Sequence, residues 1–424
     1  MINMHCFSMY NEKIYEFRHN SGLYVQILPK KGFRRKYAYL TTRFGSADSE
    51  YLCEGKKIKV PHGTAHFLEH KMFEKKDGDI FDKYSKTGAN ANAFTSHLVT
   101  SYHFDCVDNF EENLNILFEQ VFVPYFTPEN VEKEKGIIIQ EINMYRDDPY
   151  DVRYQEFLKL LYKNNPVKID IGGTEETVRS ITPEILYNCH KVFYRPDNMC
   201  LTVVGDVNVE TIEKALDRAG LPKYTDNQIE RIQPAEPEKP AGIRSVCQKD
   251  TSCPLFAFGF KDASSKYNST EFLKRKIAGN FASDLIFDSV SELVDTMYRS
   301  GDIYAISACY NINKNYSFYE IMGASEKPEK VEKAIGDYIA KIAEMGIDSK
   351  MFESLKRAYY SYNIRVFDSL SSIARRLVYS YQDGYNLFDY FDAYGKITEA
   401  DVNDFIRDLL CKEMVVTIVE PKGR

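Results

Sequence analysis

The stretch GTAHFLEHKMF, residues 63–73, sets His66, Glu69 and His70 in the order H-x-x-E-H. On an α-helix, residues four apart lie one turn up on the same face, so His66 and His70 can aim imidazole nitrogens at one ion. Glu69 projects to the flank of that face, where a carboxylate can take a proton from a water on the metal. The chain has eight histidines, and the pattern arises by chance in roughly one such chain in a hundred. A third ligand is therefore needed, because zinc in catalytic sites usually takes three protein ligands and leaves the fourth position open.

A second helical stretch, TPENVEKEKGIIIQEINMY at residues 127–145, offers Glu132, Glu134 and Glu141. Two turns of helix nearly superimpose residues seven apart, so Glu134 and Glu141 can face one neighbour. Taken with His66-Phe67-Leu68-Glu69-His70, the run EKEKGIIIQEINM resembles the inverted-motif (HxxEH) zinc peptidases that include pitrilysin, insulin-degrading enzyme and mitochondrial processing peptidase. In length the chain is similar to their short bacterial two-domain branch. The resemblance implies one Zn2+ ion held by His66, His70 and Glu141, with Glu69 as general base on a zinc-bound water and Glu134 as a supporting carboxylate. Two neutral imidazoles and one carboxylate leave such a site near net +1, so it still acidifies water.

Composition sets outer bounds. At 424 residues the chain exceeds one ordinary core, and two domains are expected. Hydrophobic residues make up 44% and charged residues 28%, as in soluble globular proteins. A formal charge of −7 gives no general pull toward a phosphate backbone, so nucleic acid is not an expected partner. Nine cysteines without a C-x-x-C pair fit a reducing cytoplasm. No apolar run is long enough to span a bilayer, and the N-terminal residues do not read as an export signal, so the expected location is cytoplasmic and off the membrane.

Along the chain, residues 23–28 and 37–44 alternate apolar and polar side chains and read as the two strands of a hairpin. The basic run KKGFRRK between them reads as its solvated tip. Pro61 and Gly63 punctuate the entry to the motif helix, which starts near Thr64 and leaves His62 outside it. Residues 79–86 read as a short helix stopped by Gly88, residues 88–96 as a strand, and residues 100–107 as its antiparallel neighbour. The resemblance implies that Asn92-Ala93-Phe94-Thr95 forms an exposed sheet edge on which a peptide lies as an added strand. Main-chain pairing of that kind grips any extended peptide; from the residues alone an ordinary edge strand fits equally well. His97, His103 and His190 stand apart from the motif and read as structural, and Glu74 reads as a surface residue.

Helical patterns at residues 110–122, 129–145, 152–162, 183–192 and 209–219 surround a strand at 199–206 without a strict βαβ rhythm, which indicates α+β. The stretch IERIQPAEPEKPAG then reads as a linker. The expected domains are 1–222, zinc-bearing, and 245–424, homologous and metal-free, joined by 223–244. Thr182-Pro183-Glu184 with its helix and the strand at 201–204 parallels Thr398-Glu399-Ala400-Asp401 with its helix and the strand at 415–419. Residues 352–357 likewise parallel 131–136, which puts Tyr362 where Glu141 stands. The fold class is thus α+β: two similar α/β-sandwich domains from an internal duplication, with antiparallel-rich mixed sheets covered by helices. No histidine lies in the second half, so the metal chemistry belongs to the first.

The resemblance also implies an arginine and a tyrosine seven apart that hold the substrate carbonyl. The best-matching stretch, residues 293–305, carries Tyr304 but has Met297 at the arginine position and Arg299 out of spacing. A positive donor facing an oxyanion usually contributes a few kcal/mol. A homologous partner chain, in a homodimer or heterodimer, is therefore expected to supply the Arg/Tyr pair. The expected protein is a cytoplasmic zinc metallopeptidase that encloses short unstructured peptides in a chamber, with Asn92, Ala93, Phe94 and Tyr304 as substrate-binding residues. The alternatives are a dedicated maturation protease for one peptide precursor and a non-catalytic subunit of a processing complex.

Overall fold

The computed structural model describes residues 2–7, 11–223, 229–263 and 267–423. The chain opens with strands β1 (Asn3–Phe7), β2 (Glu12–Arg18), β3 (Tyr24–Pro29) and β4 (Lys36–Thr42), then a small hairpin, β5 (Glu50–Cys53) and β6 (Lys56–Lys59). Helix α1 (Thr64–Lys71) leads through the ribbon β7 (Glu74–Lys75) and β8 (Gly78–Asp79) to α2 (Ile80–Thr87), β9 (Asn90–Thr95) and β10 (Thr100–Cys106). Helices α3 (Phe110–Phe122), α4 (Pro128–Asp147), α5 (Pro149–Leu161), α6 (Glu175–Arg179) and α7 (Pro183–Phe193) precede β11 (Met199–Gly205), α8 (Val209–Ala219) and β12 (Ile229–Arg231). The second half holds β13 (Arg244–Lys249), β14 (Leu255–Asp262), α9 (Ser269–Phe287), α10 (Glu292–Arg299), β15 (Ala305–Ile312) and β16 (Ser317–Ala324). It ends with α11 (Pro328–Met345), α12 (Ser349–Val366), α13 (Leu370–Asp383), α14 (Leu387–Lys396), α15 (Glu399–Phe405) and β17 (Val415–Pro421).

These elements form two compact units, one of Met1–Ile142, Asp170–Ile232 and Ile364–Phe388, the other of Asn143–Ile169, Gln233–Asn363 and Asp389–Arg424. The first unit is built on a sheet ordered β1-β2-β3-β11-β4-β10-β9, the second on one ordered β13-β17-β14-β16-β15. In the first, β3 and β11 are parallel and β11, β4, β10 and β9 then alternate antiparallel. The second repeats this: β13 and β17 are parallel, and β17, β14, β16 and β15 alternate. The mixed, mostly antiparallel sheets are covered by helices, and the five-strand core order occurs twice.

Two features differ from the sequence reading. β3 and β4 are not a hairpin, because β11 lies between them, Leu201 opposite Val25 on one side and Leu40 on the other. Local alternation reveals a strand but not its neighbour, and β11, buried at every residue, takes the central position that a continuous apolar run favours. The units also do not follow one cut in the chain. Helix α5, from the first half, buries Phe157, Leu158 and Leu161 completely against Ala257, Phe318 and Val415 in the second unit. Helix α13, from the second half, lies on β4 and β11 in the first, where Gln26 Nε2 donates to Leu377 O at 3.0 Å. Of the expected linker, residues 224–228 lie outside the described residues, Ile229–Arg231 pairs with β5, and Arg244 opens β13.

Helix α1 is held by its apolar side, with Phe67 and Leu68 at 0% exposure. Each such burial contributes about 1.5–3 kcal/mol. Its N-cap, Gly63, has φ +91, and a Cβ there would stand 2.3 Å from Gly172 O. We expect Gly63→Ala to destabilise the protein by about 1–3 kcal/mol, against about 1–2 kcal/mol for Gly32→Ala, whose φ is +86 but whose Cβ meets nothing within 4 Å. Denaturant midpoints of the two variants measure the difference.

In the second unit Asp262 is buried and ion-paired to Arg275 Nε at 2.7 Å. Burial alone would raise its pKa, but the Arg275 hydrogen bonds and charge and the Tyr310 hydroxyl outweigh it and hold it low. A depressed folded pKa stabilises the protein above the unfolded carboxylate value, about 3.9, and that stabilisation fades as pH falls through the folded one. Asp262→Asn should lower stability at pH 7 and flatten the acid limb below about pH 4, as urea unfolding across pH would record.

Candidate metal and active site

Helix α1 sets His66 and His70 one turn apart, their ring centroids 4.6 Å from each other. From α4, Glu141 Oε1 lies 3.8 Å from His66 Nε2, and its Oε2 lies 3.5 Å from His70 Nε2. One ligand atom of each residue falls within 4.8 Å of the others. Bonds of about 2.0–2.1 Å in a tetrahedral site set ligand atoms about 3.4 Å apart, so the three fit a zinc-sized ion. Their side chains are 14%, 25% and 27% exposed, which leaves a side open for a further ligand.

The protonation pattern also suits a cation. Burial pushes His66 down to about 4, with the charge of His70 adding to this and that of Glu134 opposing it, so its imidazole is neutral. His70 Nδ1 lies 3.0 Å from Glu134 Oε1. With the proton on Nδ1, donated to that carboxylate, Nε2 is left as a lone-pair donor toward Glu141. Burial would lower His70, but the hydrogen bond to Glu134 and the charges of Glu134, Glu69 and Glu141 raise it on balance. Glu134 is held low: burial pushes upward, and the His70 hydrogen bond with the charges of His70, Lys71 and Lys133 outweighs it.

Glu69 stands on the flank of the cluster. Burial raises its pKa, opposed by a hydrogen bond from Thr95 and the charge of His70. Thr95 Oγ1 donates to Glu69 Oε2 at 2.6 Å, tying the carboxylate to β9. Asn92, Ala93 and Phe94 lie on this same strand, the last of its sheet. Tyr304 belongs to the other unit, just before β15, and is 59% exposed. Met297 is buried in α10, and Arg299 is exposed and paired with Asp295 at 2.8 Å.

Lys71 was not legible as part of the site. It is fully buried, its ammonium bonded to Glu74 and 3.9 Å from Glu134 Oε2. Glu74 is thus a partner of that cation and not only a surface acid. The available signal was a lysine on the helix face of Phe67 and Leu68, since a buried ammonium needs carboxylates around it. His97 and His190 play structural parts: His97 Nδ1 bonds Ser46 Oγ at 2.8 Å, and His190 Nε2 bonds Val121 O at 2.9 Å. His62 precedes α1 and is not in the three-residue cluster.

Among the described residues no helix is long and apolar enough to cross a membrane. Residues 57–175 match the family model Insulinase (Peptidase family M16), and residues 180–359 match Peptidase M16 inactive domain. The chain is 36% identical over 419 residues to YmfH of Bacillus subtilis, called an uncharacterized zinc protease, covering 97% of each. An M16-like peptidase from Alicyclobacillus acidocaldarius superposes with a TM-score of 0.93 at 29% identity, over 97% of this chain and 99% of that one. Pitrilysin shares the fold, with a TM-score of 0.78 at 17% identity, over 99% of this chain and 46% of its own. The chain belongs to peptidase family M16, whose relatives are named zinc proteases.

Proposed function

We propose that this chain is a zinc metalloendopeptidase for short, extended peptides, with one ion held by His66, His70 and Glu141 and with Glu69 as general base. The observation that carries the reading is the Glu69 carboxylate, next in the chain to His70, acted on by the charges of His70 and Glu141, and bonded through Thr95 to β9, the edge strand of its sheet among the described residues. When bound, a divalent ion there supplies a Lewis acid and lowers the pKa of water. The residues of the chain do the rest. The backbone of Asn92, Ala93 and Phe94 pairs with an extended peptide, and Glu69, with its raised affinity for a proton, accepts one and passes it to the leaving amine. Thr95 holds the receiving oxygen in place. Glu134 fixes the His70 tautomer and Lys71 fixes Glu134.

The reading includes a homologous second chain that supplies an arginine and tyrosine to the developing oxyanion, since Met297 is buried where the arginine is expected. Nine free cysteines support a reducing, cytoplasmic setting.

Glu69→Gln should retain zinc at full stoichiometry and lower peptide hydrolysis by about 10²–10⁴-fold, measured by metal analysis and a quenched peptide. Retention of wild-type turnover would remove Glu69 from the chemistry. Glu134→Gln and Lys71→Met should each weaken zinc binding about 10–100-fold, as competition with a chromophoric chelator would show, without displacing any direct ligand. Unchanged affinity in both would separate Lys71 and Glu134 from the metal site.

A further inference from the structure

Helix α3 ends in the apolar turn Val121-Phe122-Val123 and has no basic residue of its own to face the carbonyls left over there. Other elements supply the donors. Lys75 of β7 donates from Nζ to Gln120 O and Val123 O, both at 2.7 Å, and His190 of α7 lies on Val121 O. Lys75 is only 5% exposed and, among the described residues, has no ion pair. Burial pushes its ammonium down to about 7, with Glu119 of α3 opposing, Lys83 of α2 adding and Asp77 of the ribbon turn opposing. His190 is pushed down to about 4 by burial and is neutral. A cation taken out of water without a carboxylate carries a penalty that an apolar side chain of similar length would not. Apolar packing therefore does not account for a lysine here; the tie to α3 does.

What the tie holds is the ribbon that leaves α1. Glu74 and Lys75 are neighbours on β7, and side chains of adjacent strand residues leave on opposite sides. Lys75 reaches α3, and Glu74 accepts from the ammonium of Lys71 at the end of α1. Lys71 Nζ is 3.9 Å from Glu134 Oε2, and Glu134 Oε1 is 3.0 Å from His70 Nδ1. A continuous set of contacts thus runs from the C-terminus of α3 through Lys75, Glu74, Lys71 and Glu134 to His70. The Glu74 side chain is 42% exposed, so packing around it does little to hold it, and its place is set by the strand that carries it.

We propose that Lys75 is a positioning residue for the metal site: by pinning β7 to the C-terminus of α3 it keeps the Glu74 carboxylate against Lys71, and so keeps Glu134 on His70. This rests on the reading of His66, His70 and Glu141 as metal ligands.

The test measures the zinc affinity of the full chain by competition with a chromophoric chelator, and the urea midpoint of the metal-free protein, for Lys75→Met, Glu74→Gln and the double variant. Lys75→Met should weaken zinc binding about tenfold, the lower end of the range for groups that orient a ligand. Glu74→Gln, at an exposed side chain, should do the same with the midpoint unchanged, which a general loosening of the fold would not give. The double variant should lose no more than either single one, because both act along one path. Lys75→Gln, shorter but still a donor, should fall between wild type and Lys75→Met, and it serves where Lys75→Met does not fold. Wild-type affinity in a folded Lys75 variant or in Glu74→Gln, losses that add in the double variant, or a zinc loss confined to variants whose midpoint also falls, each overturns the proposal and leaves the metal reading standing. A wild-type chain that binds no zinc overturns both.

Discussion

The hydrogen bond between His70 Nδ1 and Glu134 Oε1 is the contact on which the site depends, because it joins α1 to α4 and at the same time selects the imidazole nitrogen left for a metal. Phe67 and Leu68 of α1 and Ile138, Ile139 and Ile142 of α4 are buried in the same apolar core. Of the polar contacts between the two helices, that hydrogen bond is 3.0 Å long. Glu134 can serve only as a carboxylate, and Lys71, buried without access to water, holds it in that state. Three carboxylates, Glu69, Glu134 and Glu141, therefore surround two imidazoles with one ammonium among them. Their surplus negative charge is what a bound cation neutralises, and burying it is otherwise expensive.

Features set by spacing along one helix were legible in the sequence. His66, Glu69 and His70 declare a shared face by their numbers, and α1 begins at Thr64, where Gly63 stops the preceding chain. Thr182 and Thr398, which head the two matched helices in the sequence, are the N-caps of α7 and α15. What was not legible depends on distant partners. The alternation at 23–28 and 37–44 shows two strands, yet β11 separates them because it buries both faces and so belongs in the middle of the sheet. Phe157, Leu158 and Leu161 mark an amphipathic helix, but an apolar stripe fits any sheet, and these residues cover the one formed by the second half. Lys71 and Thr95 escaped notice as partners because their roles lie in bonds to Glu134, Glu74 and Glu69, which no local pattern encodes.

The repeated sheet order shows that one scaffold carries two fates. Five strands keep the same order and orientation in both units, so the apolar pattern survived extensive change in sequence. A core tolerates exchange among side chains of similar volume and polarity. A ligand set does not, since a metal needs particular atoms at particular distances. The second half has no histidine, and Tyr362, in register with Glu141 of the first, is 56% exposed on α12. Fold and chemistry are separable here: the second copy keeps the architecture without the two histidines and the glutamate that could hold an ion in the first.

Strand β9 brings the proposed functions together through the period of a β-strand. It is the last strand of its sheet, where an extended peptide is proposed to pair, and Thr95 on one of its faces holds Glu69. A peptide lying along that edge would inherit the same alternation, so every second side chain of it would be turned to the Glu69 face. On the proposed reading, the side chains turned to the other face would lie away from the carboxylate that does the chemistry, so what they are and what Glu69 does would be separable.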